Sequence, residues 1–321
     1  MHALQFTATG DLRHLALVDL PRPVPAAGDV LIRVDAAGLN PSDVKNVLGR
    51  FPYTTLPRVP GRDVAGTVEA GPAELIGRAV WATGREPGFT RDGSHAEWLC
   101  LPADGVALKP ASLSFAQAAA CGVPYTTAWD GLRRAGLDEN QQVLVIGANG
   151  AVGRAAIGLA RAAGAAVLAA VRDKGKQRQL EAEGYCCLML DNPDTLAEQV
   201  AQHFPEGADI IFDTTGFWLA PAVAALNRFG RLVVIAAPAN GMAELPLLAL
   251  YRKGASIVGA NSLLYGCEDC AEMLREIGAL FDSHALPLPT PPTEAALDEG
   301  LASYARINAG SSEKVVLRPA R

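Results

Sequence analysis

The sequence predicts an α/β protein in which a β-rich module precedes a doubly wound parallel sheet. In about the first hundred residues, short apolar runs such as residues 29–38 and 78–84 are separated by Pro and Gly clusters, which is typical of an all-β module. From about Ser114 onward, Ala-rich helical stretches alternate with apolar runs. Because strand and helix alternate there, we expect a parallel sheet with helices on both faces.

The order of the elements gives the predicted domain boundaries. The apolar runs of the second part are residues 143–147, 166–171, 209–212, 231–236 and 256–260. A helical pattern at 268–282, a Pro-rich segment at 287–292, a further helix and a strand at 314–317 follow. We expect this tail to return to the first module. The predicted division is 1–116 for the β-rich domain, 117–282 for the parallel-sheet domain and 283–321 for the returning tail.

Composition excludes several classes of protein. The chain has 321 residues, of which 50% are hydrophobic and 19% are charged, so it can bury a sizeable core. It contains no run of roughly 18 apolar residues, and its start lacks the basic and apolar order of a signal peptide. We therefore expect a cytoplasmic protein that does not enter the membrane. The formal net charge of -6 argues against nucleic acid as a partner.

The six cysteines do not form a pattern typical of a disulfide scaffold. Cys186 and Cys187 are neighbours and can hardly pair with each other. Cys267 and Cys270 form a CxxC, but no second CxxC or paired His motif accompanies them. We interpret them as two reduced thiols near the start of a helix.

A glycine pattern predicts a dinucleotide-binding loop. In the segment QVLVIGANGAVGRAAIGLARAAG, an apolar strand ends at Gly147 and a helix of small residues begins near Gly150. Gly147, Gly150 and Gly153 allow a tight turn, close approach to a pyrophosphate and close packing of helix on strand. The helix N-terminus then offers unpaired N–H groups to the phosphates. The other residues of this predicted loop are Ala148, Asn149, Ala151 and Val152.

The choice between the two nicotinamide dinucleotides depends on the end of the second strand of this series. The chain continues there as Arg172, Asp173, Lys174, and then Lys176 and Arg178. A basic residue at this place accepts the 2′-phosphate of NADPH, whereas an acidic one binds the free ribose of NADH. Four cations favour NADPH, with Arg172 as the bidentate phosphate ligand and Lys176 as a second charge. The alternative is that Asp173 binds the ribose and NAD is the cofactor.

Three further segments resemble one family. The segment GLNPSDVKNVLG at residues 38–49 resembles an NPxD motif, and VPGRDVAGTVEAG at 59–71 resembles a PGxDxAG block. GVPYTTAWDGL at 122–132 resembles the family segment that leads into the nucleotide domain. With the glycine loop, these motifs resemble the quinone oxidoreductase-like branch of the medium-chain dehydrogenase/reductase superfamily over essentially the whole chain. The resemblance implies a GroES-like β-rich domain followed by a Rossmann domain.

The same resemblance implies an enzyme without zinc. In the zinc alcohol dehydrogenases a cysteine stands about where this chain has Asn40, and a His-Glu pair stands at Arg62 and Asp63. Cys121 lies near the place of another ligand, but one thiol cannot replace the three protein ligands of a catalytic zinc. A structural zinc lobe needs four clustered cysteines, and only Cys100 is present in that region.

The activity that the resemblance implies is NADPH-dependent hydride transfer to an electrophilic small molecule. Quinones and α,β-unsaturated carbonyls suit a metal-free site, because hydrogen bonds alone can stabilise their developing negative charge. Alcohols are harder substrates, because no Lewis acid lowers the pKa of the hydroxyl. One alternative is an enoyl-thioester or alkenal reductase of the same fold. Another is a non-catalytic NADPH-binding regulatory protein.

The resemblance also assigns candidate catalytic residues. Asn40 is expected at the nicotinamide end of the cleft between the domains, and Thr127 on its other wall. Asp43 either orients the neighbouring loop or caps a turn. Lys45 stands where several quinone reductases carry a tyrosine, and it is either a proton donor or a solvated side chain.

The segment that the resemblance places near the substrate departs from the family pattern. The family tyrosine of a GxYP segment aligns with Phe51, which has no hydroxyl, and Tyr53 lies two residues further on. These rings either stack on a planar substrate or belong to the local core.

Four later positions are implied as cofactor contacts. Thr214 belongs to the turn after the fourth strand of the Rossmann domain, Ala236 follows the fifth and Asn261 follows the sixth. Lys314, at the start of the last strand, is expected at the cofactor phosphates. His95 is interpreted as a surface or packing residue. The resemblance further implies a homodimer formed through the edge strand at residues 256–260, whose backbone groups would otherwise be exposed.

Overall fold

The chain forms two compact units in a computed structural model that describes residues 1–320. The first unit contains Met1–Thr126 and the chain from Ser262 onward, and the second is Thr127–Asn261. The helix Phe115–Arg134 runs across this division. The helix at 267–282, which the sequence analysis grouped with the parallel sheet, lies in the first unit. The boundaries 116/117 and 282/283 stay a prediction about domains.

The first unit is built on a mixed sheet whose central strand is long. The strands of this unit are β1 His2–Phe6, β2 Leu15–Asp19, β3 Asp29–Leu39, β4 Asp63–Ala70, β5 Ala79–Ala82, β6 Trp98–Pro102, β7 Ala107–Leu108, β14 Thr293–Ala296 and β15 Val315–Arg318. Strands β1 and β2 form a separate antiparallel pair. The larger sheet has the order β14-β15-β3-β4-β5-β7, and β6 also pairs with β3. The last strand of the chain therefore joins the sheet of the first module.

The second unit is a parallel sheet of six strands in the order β10-β9-β8-β11-β12-β13. Its strands are β8 Gln142–Ile146, β9 Ala166–Val171, β10 Cys186–Met189, β11 Ala208–Asp213, β12 Leu226–Val234 and β13 Ser256–Gly259. Numbered from the first strand of this unit, the order is 3-2-1-4-5-6, which is that of a Rossmann fold. The predicted fold class is confirmed.

Helices complete both units. They are α1 Pro41–Val47, α2 Phe115–Arg134, α3 Ala151–Ala162, α4 Lys174–Ala182, α5 Leu196–Ala201, α6 Leu219–Ala225, α7 Leu247–Lys253, α8 Cys267–Asp282 and α9 Gly300–Asn308. The interior of the first unit is an apolar cluster from the β3, β4 and β15 strands, and that of the second surrounds the β8, β9 and β11 strands. Among residues 1–320, none of these helices has the length and apolar character needed to cross a membrane.

In the parallel sheet, the predicted strands match the observed ones apart from their ends and one omission. The first predicted strand included Gly147, but this residue has φ +76° and begins the turn. Strand β10 was missed. Its four residues, CCLM, lie half exposed at the edge of the sheet. They include no β-branched residue and no alternation of apolar and polar residues, so the sequence did not predict a strand there.

Candidate active site and nucleotide loop

The glycine loop has the geometry of a phosphate cradle. A Cβ on Gly147 would lie 2.2 Å from the Thr214 hydroxyl oxygen, and one on Gly153 would lie 2.4 Å from the Gly147 carbonyl oxygen. At Gly150, which precedes the helix Ala151–Ala162, the nearest such contact is an ordinary 3.5 Å. Two glycines are therefore required by packing, whereas the third leaves open space before a helix N-terminus. These residues fit a dinucleotide.

The turn after β11 closes over the same loop. The Thr214 hydroxyl donates a hydrogen bond to the Ile146 carbonyl at 2.9 Å. The buried Asp213 carboxylate accepts hydrogen bonds from the backbone N–H groups of Thr215 and Gly216, at 2.7 and 3.2 Å. A Cβ on Gly216 would lie 2.5 Å from the carbonyl oxygen of Ala236. The structure thus brings Gly147, Thr214 and Ala236 together at the carboxyl edge of the sheet.

After β9, the acidic side chain has a hydrogen-bond partner among the described residues and three basic side chains do not. Asp173 precedes the helix Lys174–Ala182, and its carboxylate accepts a hydrogen bond from the Lys176 N–H at 2.8 Å. The side chains of Arg172, Lys174 and Lys176 have no hydrogen-bond or ion-pair partner within residues 1–320. Arg172 is exposed directly after the strand. The Asp173 carboxylate therefore serves as a helix cap, whereas the three cationic side chains remain able to bind an anionic ligand.

A polar cluster in the first unit surrounds Asn40. The Asn40 side-chain amide donates to Asp63 Oδ2 at 2.8 Å, and Lys314 Nζ donates to Asn40 Oδ1 at 2.6 Å. Lys314 Nζ lies 3.7 Å from Asp63 Oδ2. Asp63 Oδ1 accepts from the Val123 N–H at 2.8 Å. Asn40 and Asp63 are buried, and the Lys314 side chain is 17% exposed.

Strand pairing explains why these residues meet. The strand Val315–Arg318 runs antiparallel to β3 with Val315 opposite Leu39, so Lys314 arrives beside Asn40. On the other side of β3, Asp63 is opposite Gly38. A Cβ on Gly38 would lie 2.2 Å from the Ala119 carbonyl oxygen, so this strand position requires glycine. Lys314, expected at the cofactor phosphates, contacts Asn40, the residue expected at the nicotinamide.

Asp43 acts as a helix cap. Its carboxylate accepts a hydrogen bond from the Asn40 backbone N–H at 2.8 Å, at the start of the helix Pro41–Val47. Complete burial raises the pKa of Asp43 to about 7, although the hydrogen bond from Asn40 opposes this shift. The cap holds the backbone of Asn40 and leaves its side chain for Lys314 and Asp63.

His95 belongs to the core, and its surface alternative is wrong. Its Nδ1 lies 2.9 Å from the Tyr304 hydroxyl, and its Nε2 lies 3.2 Å from the Gly38 carbonyl oxygen. Because a carbonyl only accepts, Nε2 carries the proton and Tyr304 donates to Nδ1. Burial lowers the pKa of His95 to about 4, so the ring is neutral near pH 7. A Cβ on Gly61, which has φ +100°, would lie 2.4 Å from this ring.

The aromatic residues of the segment expected near the substrate pack on one another. The Phe51 ring lies 6.0 Å from the Tyr53 ring and 5.2 Å from the Phe89 ring, measured between centroids. Tyr53 is 47% exposed, whereas Phe89 is fully buried. Lys45 is exposed on the helix Pro41–Val47. The cluster therefore combines a core contact at Phe89 with the partly exposed residue Tyr53.

Two further predicted site residues also lie in the second unit. Thr127 is buried in the helix Phe115–Arg134. Asn261 is exposed after the edge strand Ser256–Gly259.

The residues at the positions of zinc ligands do not fit a zinc ion. The Arg62 guanidinium is buried and donates to the Gly84 carbonyl at 2.7 Å and to the Ser262 hydroxyl at 3.2 Å, which places a cation at a ligand position. The Asn40 amide oxygen already accepts from the Lys314 ammonium. Burial raises the pKa of Cys121 well above its usual range, which disfavours the thiolate that would bind a metal.

Comparison with known proteins decides the family. Residues 26–111 match the model described as alcohol dehydrogenase GroES-like domain, and residues 151–279 match the model described as zinc-binding dehydrogenase. A zinc-type alcohol dehydrogenase-like protein of Schizosaccharomyces pombe is 35% identical over 94% of this chain and 92% of its own length. The chain belongs to the medium-chain dehydrogenase/reductase superfamily. It is an oxidoreductase of the quinone oxidoreductase-like type.

Further relatives of this dehydrogenase/reductase are named as a reductase and as an oxidoreductase. The 2-methylene-furan-3-one reductase of Solanum lycopersicum is 30% identical over 99% of this chain and 79% of its own length. The quinone oxidoreductase of Homo sapiens is 32% identical over 76% of this chain and 74% of its own length.

Two solved structures share the fold over nearly the whole chain. An alcohol dehydrogenase superfamily protein from Novosphingobium aromaticivorans has a TM-score of 0.88 and 30% identity and covers 99% of both chains. A mycobacterial protein complexed with NADPH has a TM-score of 0.84 and 25% identity, and covers 99% of this chain and 100% of its own. A nicotinamide cofactor is therefore supported for this member of the superfamily.

Sequence reasoning missed the central residue of the polar cluster. Asp63 appeared only as a position at which a zinc dehydrogenase has glutamate, although it anchors both Asn40 and Val123 here. The signal was present in the segment PGRD, where an acid begins an apolar strand. A charged residue at a buried strand start usually has a partner, but that partner cannot be identified along the chain.

Proposed function

We propose that this dehydrogenase/reductase uses NADPH to reduce a quinone or an α,β-unsaturated carbonyl compound without zinc. The observation that carries the proposal is the arrangement at the end of β9. Asp173 caps a helix, whereas the side chains of Arg172, Lys174 and Lys176 have no partner within residues 1–320. A 2′-phosphate supplies the charge that these cations lack, and a bare ribose does not.

The competing NADH interpretation requires Asp173 to bind the ribose. Its Oδ1 already accepts the Lys176 N–H, and losing an N-cap of this kind costs about 1 kcal/mol. Arg172 and Lys174 flank Asp173 in the sequence, and neither forms an ion pair with its carboxylate within residues 1–320. The preference for NADPH rests on this local charge balance.

Substrate class follows from the donors that the chain can offer. When bound, the nicotinamide supplies hydride, and the protein must stabilise the negative charge that develops on the acceptor. We assign Asn40 and Tyr53 as hydrogen-bond donors to the acceptor, and Lys45 and Thr127 as further polar contacts. Neutral donors suit quinones and enones, because conjugation makes the acceptor electron-poor and spreads the developing negative charge onto its oxygen, where a hydrogen bond stabilises it. The relatives named quinone oxidoreductase and 2-methylene-furan-3-one reductase support this class.

The test is an activity panel on protein treated with a chelator. NADPH and NADH are compared with benzoquinone, cyclohexenone and crotonyl thioester as acceptors. We expect turnover with NADPH that survives chelation. Activity that disappears with the metal, or that is equal with NADH, would overturn the corresponding part of the proposal.

Reduction of a C=C bond in an enoyl thioester or alkenal is the second candidate function. The tomato relative, matched over 99% of this chain, is named as a furanone reductase, and a plant relative is named as an NADPH-dependent alkenal/one oxidoreductase. The same panel decides once the products are analysed, since the product of each acceptor identifies the bond that is reduced. Tight NADPH binding without turnover of any acceptor would instead favour a regulatory NADPH-binding protein.

We also propose a homodimer, in the cytoplasm, built on the edge strand Ser256–Gly259. This strand pairs on one side only within residues 1–320, and Ile257 is 37% exposed. The preceding helix exposes Leu247, Leu248 and Tyr251 at 64%, 53% and 67%. Light scattering that gives a mass near the 33.5 kDa of one chain would overturn this assembly.

A further inference from the structure

We infer that Lys314 is a positioning residue of the catalytic centre, which fixes the orientation of the Asn40 amide so that one N–H remains for the acceptor. The inference rests on the proposed function. It assigns to Lys314 a role different from the phosphate contact expected from the sequence. Three distances carry it: 2.6 Å from Lys314 Nζ to Asn40 Oδ1, 2.8 Å from Asn40 Nδ2 to Asp63 Oδ2, and 3.7 Å from Lys314 Nζ to Asp63 Oδ2.

The chemistry of the two neighbours leaves only one amide orientation. An ammonium has donors and no acceptor, so the oxygen of Asn40 must face Lys314. An ionised carboxylate only accepts, so the nitrogen of Asn40 must face Asp63. The flipped amide would place its NH2 against the ammonium and its oxygen against the carboxylate. The cation and anion therefore act as a lock on the side chain between them.

The lock leaves Asn40 with unused hydrogen-bonding capacity. The amide has two N–H donors, and one of them is taken by Asp63. The backbone of Asn40 is held separately by the Asp43 carboxylate. A side chain fixed at both its backbone and its amide has little freedom left to lose when it donates to a substrate oxygen. Pre-organised donors of this kind contribute to catalysis because they need no reorganisation during the reaction.

Burial makes the lock dependent on charge. Asp63 is fully buried, and Lys314 is the cation that forms an ion pair with it among residues 1–320. Without Lys314, the carboxylate keeps the Asn40 amide and the Val123 N–H but loses its counter-charge. The Asn40 oxygen also loses the ammonium that donates to it among residues 1–320. Both effects loosen the amide without touching the nucleotide loop, which lies in the second unit.

The test compares Lys314→Met with Lys109→Met. Lys109 is a matched control, because its partly buried ammonium also donates to carbonyl oxygens, those of Pro110 and Leu113, and it does not contact Asn40. We expect Lys314→Met to lower kcat with benzoquinone or cyclohexenone by at least about 10-fold, since a misplaced catalytic group can cost up to about 100-fold. The Kd for NADPH, measured by nucleotide fluorescence, should change by less than about 3-fold. Lys314→Arg should recover most of the loss in kcat, because it retains the charge.

Opposite results overturn the inference. A raised Kd for NADPH with unchanged kcat would assign Lys314 to the cofactor phosphates. Equal losses of kcat in the Lys314 and Lys109 variants would show a merely structural effect, and circular dichroism melting identifies a variant that fails to fold. If Lys314→Met does not fold, Lys314→Arg and Lys314→Gln give the same comparison of kcat with Kd.

A readout without turnover separates this inference from the proposed function. The side-chain amide resonances of Asn40, assigned by their loss in Asn40→Ala, are followed by NMR in cofactor-free protein. Lys314→Met should shift them, and Lys109→Met should not. If the wild-type protein reduces no acceptor, the proposed function fails while this measurement still decides whether Lys314 orients Asn40. Unshifted resonances in Lys314→Met would contradict the inference that Lys314 orients the Asn40 amide.

Discussion

The nucleotide loop and the polar cluster around Asn40 are built by different means. The loop is a continuous segment, Gly147 to Gly153, and its geometry depends on the absence of side chains. The cluster depends on side chains at or next to the ends of strands that are far apart in sequence, and 274 positions separate Lys314 from Asn40. The loop is therefore a feature of backbone and packing, whereas the cluster is a feature of buried charge. The two should respond differently to substitution.

Gly153→Ala is expected to have the largest effect on the loop. Its Cβ would lie 2.4 Å from the Gly147 carbonyl oxygen, so the loop backbone must move. We expect the Kd for NADPH to rise about 100-fold, which corresponds to ~2.7 kcal/mol, together with a lower melting temperature. In Gly150→Ala the nearest contact is 3.5 Å, so the apoprotein should melt as the wild type does. Equal melting of both variants would contradict the packing argument.

Asp63→Asn should affect the cluster and spare the loop. The substitution keeps the shape of the side chain and removes the counter-charge of Lys314. Because Lys314 is partly exposed, we expect a loss of about 2 kcal/mol in the free energy of unfolding, below the usual cost of breaking a fully buried pair. Urea denaturation measures it. Glu294→Gln, which breaks an exposed pair with Arg318, should cost less than about 0.5 kcal/mol. The Kd for NADPH should be unchanged in both.

Arg172→Ala sharpens the comparison within the nucleotide site. A charged hydrogen bond contributes about 1.5–3 kcal/mol, so the Kd for NADPH should rise roughly 10- to 100-fold, while that for NADH should stay the same. Arg178→Ala is the control, because its guanidinium donates to the Lys174 carbonyl within the helix. Loss of affinity for both nucleotides in Arg172→Ala would mean that this residue does not recognise the 2′-phosphate.

The wild-type protein should show only a small pH dependence of stability, because two buried groups of the first unit titrate with opposite effects. Burial raises the pKa of Asp43 from 3.8 to about 7, so between these values only the folded state holds the proton, and stability falls as pH rises. Burial lowers the pKa of His95 from 6.5 to about 4, so between these values only the unfolded state holds the proton, and stability rises with pH. From pH 4 to 6.5 the two contributions oppose each other.

Asp43→Asn should expose the contribution of His95. Its free energy of unfolding should increase by about 1.4 kcal/mol per pH unit between pH 4 and 6.5, while the wild type changes much less. Urea titrations across this range measure both proteins. The same slope in both would show that Asp43 is ionised in the folded protein throughout.

Local sequence patterns predicted most of the fold and, of the candidate site, the glycine loop. The alternation of apolar strands with Ala-rich helices predicted the parallel sheet, and the strand at 166–171 was placed at its observed ends. The glycine loop was predicted because strand, turn and helix are adjacent in the chain. Strand β10 was missed because a half-exposed edge strand of four residues has little pattern.

The sequence by itself determined the family, the glycine loop and the order of the elements, because each depends on residues that are neighbours along the chain. Only the tertiary structure decided the surroundings of Asn40. Antiparallel pairing of the last strand with β3 places Lys314 beside it, and pairing of β4 with β3 brings Asp63 to its other side. The physical reason is that strand register, set by the burial of whole sheet faces, fixes which distant charges meet.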